Sequence, residues 1–178
     1  MRDARISDLS TLEGETVRLR GWLYNSRGKG KLIFLLVRDG SGICQCVLSA
    51  KNVDEAIFEN GKSLTQESSV EITGVVQLDE RAPGGAELSV NDVKVVQISE
   101  PFPIGKKEHG AGFLMDHRHL WLRSKKQMAI LRVRHRILKS FRDYLDDDGF
   151  FCVDSPIFTP NACEGTSTLF ETQYFDET

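Results

Sequence analysis

Residues 25 to 31, NSRGKGK, place three cations and two glycines in seven positions and run directly into the apolar stretch LIFLLV. Such a loop suits phosphate, whether of a nucleotide or of a nucleic-acid backbone. A nucleotide P-loop needs the spacing G-x-x-x-x-G-K-[ST] between a strand and a helix. Here Gly28 and Gly30 are two apart, Leu32 follows Lys31, and both flanks have strand character. The spacing excludes a P-loop and favours a hairpin with positive-φ glycines, or simply a turn whose lysines face water.

Two residues beyond the loop could contact a base. Phe34 could stack on one, because single-stranded nucleic acid is held by aromatic side chains beside a basic groove. On patterning alone Phe34 could equally belong to the core. Gln45, in the apolar stretch ICQCV, is harder to explain as core, since an unpaired buried amide is costly. Its amide offers both a donor and an acceptor to the edge of a pyrimidine such as uracil.

The cysteines and histidines do not predict a metal site. The four cysteines, at 44, 46, 152 and 163, form no C-x-x-C pair. Cys44 and Cys46 lie on one face of an apparent strand and are too close along the chain for a normal disulfide. We therefore expect buried, reduced, structural thiols, as in a cytoplasmic protein. His117 and His119 lack a suggested third ligand, so we expect no metal.

Charge and hydropathy suggest a soluble protein with two basic segments. The net charge is −3, yet residues 16–38 carry six Lys/Arg and no acid, and residues 117–142 carry nine Lys/Arg and no acid. These segments are candidate polyanion-binding surfaces, or solvated faces. The longest apolar run, residues 32–37, is far too short to span a bilayer, and the N-terminus has no apolar signal region. We expect a cytoplasmic location and no membrane partner.

Residues 1–100 have the pattern of strands with one helix. TVRLRGWLYNSR alternates apolar and polar residues, and KLIFLLVRD is apolar on both faces, so we expect both its faces to be covered. A strand at ICQCVLS, a helix at NVDEAIFENGKSL and strands at SSVEITGVVQLDE and LSVNDVKVVQIS follow. Asn52 is the expected cap of that helix and Gly61 its expected end. Five strands with one helix between the third and fourth is the order of the OB-fold barrel.

The chain changes character at residue 101. Prolines and glycines predict a linker or hinge at residues 101–123. Ser124 and Gln127 form a capping box for a helix whose apolar face includes Ile130, Ile137 and Phe141, and Gly149 can end it. FFCVDSPIF then has strand character, with Pro156 restricting it to an edge or an interface.

The segment RGWLYNSRGKGKLIFLLVRDGSGICQCV resembles the anticodon-binding OB domain shared by the class IIb aminoacyl-tRNA synthetases, the aspartyl, asparaginyl and lysyl enzymes. In that family an arginine, a phenylalanine and a glutamine on the first three strands contact an anticodon whose central base is U. The matching positions are Arg27, Phe34 and Gln45. The resemblance thus implies that residues 1–100 bind the tRNA anticodon stem-loop, with Arg27 and the loop residues Lys29 and Lys31 beside its backbone.

The second half is similar to the start of a class II catalytic domain. GFFCVDSPIF resembles motif 1, a dimer-interface element, with Pro156 at the matching proline. TPNACEGTSTLFETQYFD resembles the asparaginyl form of the loop over the amino-acid pocket, in which Glu164 matches a glutamate near the substrate's ammonium group. Residues 124–178 are therefore expected to begin an α+β catalytic domain with the first helix and strand, and to contribute to a homodimer.

The resemblance implies that the full-length protein is an asparagine–tRNA ligase using ATP and Mg²⁺. Motifs 2 and 3, whose arginines clamp ATP, are not in this sequence, so we expect the 178-residue chain to be an inactive N-terminal portion with no catalytic residue and no bound cofactor. Two alternatives stay open. One is an aspartyl-tRNA synthetase, possibly charging both acceptors. The other is a non-enzymatic, single-strand-binding OB protein with a helical tail.

Overall fold

The computed structural model describes residues 2–105 and 107–158. A two-residue strand, β1 (Arg2–Asp3), and a 3-10 helix (Ile6–Thr11) open the chain. Five longer strands follow, with one helix and a 3-10 turn (Pro83–Gly85) among them. In chain order these elements are β2 (Thr16–Lys29), β3 (Leu32–Arg38), β4 (Ile43–Ser49), α1 (Glu55–Ser63), β5 (Ser69–Leu78) and β6 (Ala86–Gln97).

The five longer strands form a closed barrel. The strands neighbour one another in the order β1-β2-β3-β4-β6-β5, and pairing of β2 with β5 closes the circuit. The first half of β2 pairs with β5 and its second half with β3, both antiparallel, whereas β4 and β6 pair in parallel. The predicted OB-fold is confirmed in strand order and in the place of its helix. β1 and the first 3-10 helix were not predicted.

One side of each barrel strand supplies the core. The alternation predicted on β2 is confirmed, because Val17, Leu19 and Leu23 are buried. The expectation that β3 is covered on both faces was wrong. Leu35 and Val37 on its inner side are fully buried, but Leu32 is 38% exposed and Phe34 is only half-buried. Among the described residues no second layer covers the outer face of β3, so this apolar surface is available to a ligand.

The helix α1 differs in detail from the expectation. It begins after Asp54 rather than after Asn52, and no side-chain hydrogen bond caps it. Gly61 does not end the helix but lies within it, buried against the barrel. A Cβ atom at Gly61 would lie 2.2 Å from Leu48 Cδ2, so the glycine allows the helix to approach the barrel closely.

The chain divides into two compact units, the first ending at His109 and the second beginning at Gly110. The second unit contains α2 (Ala111–Asp116), α3 (Arg118–Trp121) and α4 (Lys125–Asp147). The region predicted as a linker therefore contains two short helices.

The longest helix, α4, has the predicted ends. Ser124 caps it, and the Ser124 hydroxyl accepts the Gln127 N–H at 3.3 Å. Gly149 has a φ of 87°, the left-handed conformation that ends many helices. The strand predicted after it was wrong, because residues 150–158 are irregular. A strand needs a neighbour for its backbone N–H and C=O groups, and no described segment of the second unit provides one.

Candidate nucleic-acid interface

The hairpin that joins β2 to β3 has the form expected from its sequence. Lys29 pairs with Leu32, which leaves Gly30 and Lys31 as the turn. Gly30 has a φ of 65°, as predicted, whereas Gly28 is needed for a different reason. A Cβ atom at Gly28 would lie 2.3 Å from the carbonyl oxygen of Leu32, so this glycine allows the two strands to approach closely.

The strand registers place the three predicted base-contacting residues on one surface. Arg27 on β2 is the cross-strand partner of Phe34 on β3, and Gln45 on β4 is the partner of Leu36. Cross-strand partners point to the same side of a sheet, and Phe34 and Leu36 are two apart on β3. The side chains of Arg27, Phe34 and Gln45 therefore share the outer face of β2, β3 and β4.

Arg27 contacts both of the other predicted residues. Its guanidinium carbon lies 5.4 Å from the centroid of the Phe34 ring, which is cation–π distance. Its Nη2 donates a hydrogen bond of 3.0 Å to Gln45 Oε1. Arg27 is exposed and Phe34 half-buried, so the guanidinium is the outermost part of this cluster. It covers one side of the ring with a group that can move.

Glu87 is a fourth member that the sequence did not reveal. It lies on β6 beside Gln45, its partner in the parallel β4–β6 register. Gln45 Nε2 donates to Glu87 Oε2 at 2.9 Å, so the amide is held at both ends although Gln45 is only 9% exposed. The sequence signal for this contact was the charged residue in the strand AELSV. Its pairing with Gln45 follows only from the parallel pairing of two strands that are distant in the sequence. We call Arg27, Phe34, Gln45 and Glu87 the outer-face cluster.

Two thiols flank Gln45 on the inner side of β4. Cys44 and Cys46 are fully buried, and both are free. A hydrogen bond with Cys44, together with burial, raises the pKa of the Cys46 thiol well above its ordinary value. Because only the thiolate is a strong nucleophile or metal ligand, Cys46 is chemically inert here. Both cysteines therefore act as small core residues, as expected. The expectation of buried thiols was wrong for Cys152, which is exposed in the second unit.

The other predicted site residues lie elsewhere or cannot be placed. Lys31 is exposed at the turn of the hairpin, and the backbone of Lys29 ends β2. Pro156 is exposed in the irregular segment of the second unit. Glu164 lies outside the described residues. Within the described ranges, no three His, Cys, Asp or Glu side chains gather as a metal site would require, and no helix has both the length and the apolar character that crossing a membrane requires.

Two family models match this chain. One, the OB-fold nucleic acid binding domain, matches residues 17–96, and the other, tRNA synthetases class II (D, K and N), matches residues 111–176. The two matches fall on the barrel and on the helical second unit.

Individual proteins agree with both models. An asparagine–tRNA ligase of Symbiobacterium thermophilum is 51% identical over 99% of this chain, which corresponds to 40% of that protein. The asparaginyl-tRNA synthetase of Pyrococcus horikoshii, solved in complex with asparaginyl-adenylate, is 40% identical with a TM-score of 0.85, over 98% of this chain and 41% of that one. An aspartyl-tRNA synthetase of Entamoeba histolytica shares the fold, with a TM-score of 0.76 at 22% identity, over 88% of this chain and 39% of that one.

The chain spans about 40% of the length of the curated relatives it matches. Its barrel carries the outer-face cluster, and both of its units match parts of one kind of enzyme. The chain is a homologue of part of the asparagine–tRNA ligases, and its second unit matches the class II tRNA synthetases of the D, K and N group.

Proposed function

We propose that this chain binds the anticodon of a tRNA, as the RNA-binding part of an ATP-dependent asparagine–tRNA ligase. The outer-face cluster is the observation that carries this proposal. It combines an aromatic ring, an oriented amide and an exposed cation on an uncovered face of an OB barrel, which are the groups that hold single-stranded RNA.

Each member of the cluster has a distinct role in the proposal. Phe34 stacks on the central base, and Gln45 hydrogen-bonds its edge. Without RNA, Arg27 covers the ring and occupies Gln45 Oε1. An incoming base therefore displaces the guanidinium, which then contacts a neighbouring phosphate. Glu87 stays in place and keeps the amide in one orientation.

The hairpin supplies further positive charge to the RNA backbone. Lys29 and Lys31 are proposed to contact phosphates beside the anticodon, as their position next to Arg27 in the sequence suggests. Contacts of this kind release counterions, so the affinity should fall steeply as salt is added. The basic stretch of residues 117–142 is a weaker candidate for the same role, because long cations also solvate the face of a helix.

The reaction proposed for the full-length protein joins asparagine to tRNA with ATP and Mg²⁺. Its support is the match to class II synthetases and the 51% identity to an asparagine–tRNA ligase. We assign the described residues no part in the ATP or Mg²⁺ chemistry, because none of them matches the arginine-bearing motifs of that class. Glu164 is proposed to face the ammonium group of asparagine. The free buried thiols Cys44 and Cys46 support a reducing, cytoplasmic setting.

A homodimer through α4 and the segment containing Pro156 is also proposed. Apolar side chains on α4 are exposed to an extent unusual for a soluble protein, for example Val133 at 61% and Phe141 at 65%. A second copy of the chain could cover them. Sedimentation of the chain tests this proposal, and a monomer at all concentrations would contradict it.

The two alternatives have less support. Identities of 49–52% to curated relatives named asparagine–tRNA ligase exceed the 22% to the aspartyl enzyme, a level that shows the fold alone. The match of residues 111–176 to class II synthetases does not favour a non-enzymatic OB protein.

Replacing Phe34 by Ala tests the anticodon proposal. Loss of one stacked base costs roughly 1–3 kcal/mol, so the dissociation constant for a U-centred anticodon stem-loop should rise about ten- to a hundredfold. Fluorescence anisotropy with a labelled RNA hairpin measures it, and circular dichroism checks the fold. Val96→Ala, a change at a 58% exposed position of β6, is the matched control and should leave binding unchanged. Undiminished binding by a folded Phe34→Ala chain would refute the stacking role.

A further inference from the structure

Trp22 lies on the same outer face as the cluster although its position in the sequence suggests otherwise. Trp22 and Arg27 are five residues apart on β2, and in an unbroken strand they would point to opposite sides. A bulge between Leu23 and Asn25 shifts the register, so both residues point outward. Trp22 pairs with Arg38, which is four residues beyond Phe34 on β3. The two aromatic rings thus lie on one face, about 13 Å apart along the strand.

Trp22 forms one wall of a small polar cavity. The cavity measures about 130 Å³ and is lined by Trp22, Glu67, Ser69, Gln97 and Ser99. Trp22 itself is 43% exposed.

The cross-strand registers explain why these side chains meet. Trp22 is the partner of Ser69 on β5, and Ser69 is the partner of Gln97 on β6. The Trp22 side chain therefore stands in a row with a hydroxyl and an amide. A planar ring beside groups that both donate and accept is suited to a base or a ribose, and not to a simple anion.

The acidic residue of the cavity does not repel RNA as a bare carboxylate would. Arg38 Nη2 donates to both carboxylate oxygens of Glu67, at 2.5 and 2.6 Å, and the two side chains are only 15% and 8% exposed. The Arg38 guanidinium also lies 5.7 Å from the ring of Tyr24, a residue of β2 between Trp22 and Arg27 in the sequence. The end of this face at Trp22 is therefore close to neutral, because Arg38 and Glu67 neutralise each other.

The loop behind the cavity is held in a strained conformation. Glu67 has a φ of 70°, which is unusual for a residue other than glycine. Its N–H donates to the Leu23 carbonyl at 2.7 Å, and the Leu23 N–H donates to the Ser68 carbonyl at 2.8 Å. These bonds tie the loop to β2 next to Trp22, so the cavity is formed in the absence of RNA.

From this geometry we propose a second nucleotide subsite: Trp22 stacks on a loop nucleotide that flanks the anticodon triplet, with Ser69 and Gln97 hydrogen-bonding its edge or its ribose. This inference rests on the proposed anticodon function and extends it. The recognised element is then the whole loop, because two aromatic platforms on one face each hold a base.

The test compares two RNA hairpins with the same U-centred triplet in a seven-nucleotide loop. In the second hairpin the four loop nucleotides outside the triplet are abasic, so the backbone charge is unchanged. We expect Trp22→Ala in the 178-residue chain to weaken binding of the first hairpin about tenfold and to leave the second unaffected. Phe34→Ala should weaken binding of both. Equal binding of the first hairpin by Trp22→Ala and the parent chain, or an equal loss on both hairpins, would overturn the subsite.

A fluorescence experiment keeps the test independent of the folding of Trp22→Ala. The chain contains two tryptophans, so Trp121→Phe leaves Trp22 as the only indole. The intact hairpin should quench this fluorescence, and the abasic hairpin should not. Quenching that is absent or equal for the two hairpins would refute stacking on Trp22. If Phe34→Ala instead binds both hairpins like the parent, the anticodon proposal fails while the Trp22 result remains interpretable by itself.

Discussion

At the scale of single residues, the orientation of the Gln45 amide decides which base it can read. A primary amide has similar shape in both orientations, and a half-turn exchanges its donor and its acceptor. Glu87 can only accept when ionised, so it holds Nε2 on its side and leaves Oε1 toward Arg27. Uracil offers a ring N–H donor next to a carbonyl acceptor. Cytosine offers a ring nitrogen acceptor next to an amino donor, which reverses the two roles. A fixed amide should therefore prefer uracil.

Glu87→Gln should weaken this preference more than it weakens binding. A glutamine at position 87 can donate or accept, so it no longer selects one orientation of Gln45. The loss of one oriented hydrogen bond costs about 1 kcal/mol, and we expect the ratio of affinities for U-centred over C-centred hairpins to fall about fivefold. Anisotropy titrations with both hairpins measure the ratio. Glu80→Gln, at an exposed acid before β6, is the control. An unchanged ratio in Glu87→Gln would show that Glu87 does not orient the amide.

At the scale of elements, local patterns were predictable and distant pairings were not. Alternation identified the buried side of β2, and Ser124 with Gly149 marked the ends of α4. These signals act within a few residues of the chain. The bulge that turns Arg27 outward interrupts the alternation of β2, and the parallel pairing that brings Glu87 to Gln45 joins strands far apart in the sequence. Periodicity alone would have placed Arg27 and Trp22 on opposite faces.

The predictions that failed share one cause. Asn52 and Gly61 were interpreted from local helix signals, but packing of α1 on Leu48 determined the role of Gly61. The strand predicted at residues 150–158 has suitable residues and no described partner in its unit. Tertiary contacts decide such cases, and a sequence pattern does not contain them.

Asp39 links the first 3-10 helix to the turn between β3 and β4. Its carboxylate accepts the Ile6 N–H from the first 3-10 helix and the Ser41 and Gly42 N–H groups of the β3–β4 turn, at 2.8, 2.8 and 3.2 Å. Burial alone would raise the pKa of Asp39, but the hydrogen bonds outweigh it and hold the pKa below its ordinary value of 3.8. A folded-state pKa below the unfolded one means stabilisation that is complete above the unfolded pKa and lost as pH falls through the folded pKa.

Asp39→Asn should therefore destabilise the barrel in a pH-dependent way. At pH 7 we expect the free energy of unfolding to fall by about 1–2 kcal/mol, since charged acceptors are replaced by a neutral one. At a pH below the folded-state pKa, where Asp39 itself is protonated, the parent and the variant should converge. Urea unfolding at both pH values measures this difference. Asp79→Asn, which interrupts only an exposed contact with Arg81, should have a smaller effect at pH 7. A difference independent of pH would contradict the assigned role of the Asp39 charge.

At the scale of the molecule, the binding surface and the exposed apolar surface belong to different units. The buried core of the barrel is drawn from residues 6–93, and all four members of the outer-face cluster lie in the same unit. In contrast, α4 carries no buried residue. RNA binding should therefore need only the first unit, and self-association only the second.

Separating the units by truncation tests this division. We expect residues 1–109 to fold, to sediment as a monomer and to bind the U-centred hairpin within about twofold of the 178-residue chain, because distant sites contribute additively. The 178-residue chain should sediment as a dimer. Phe141→Glu, which places a charge on the exposed face of α4, should make it monomeric without changing RNA affinity. Loss of about tenfold or more in RNA affinity on truncation would show that the second unit takes part in binding. If the parent 178-residue chain sediments as the same monomer as the Phe141→Glu variant, α4 is not a dimer interface.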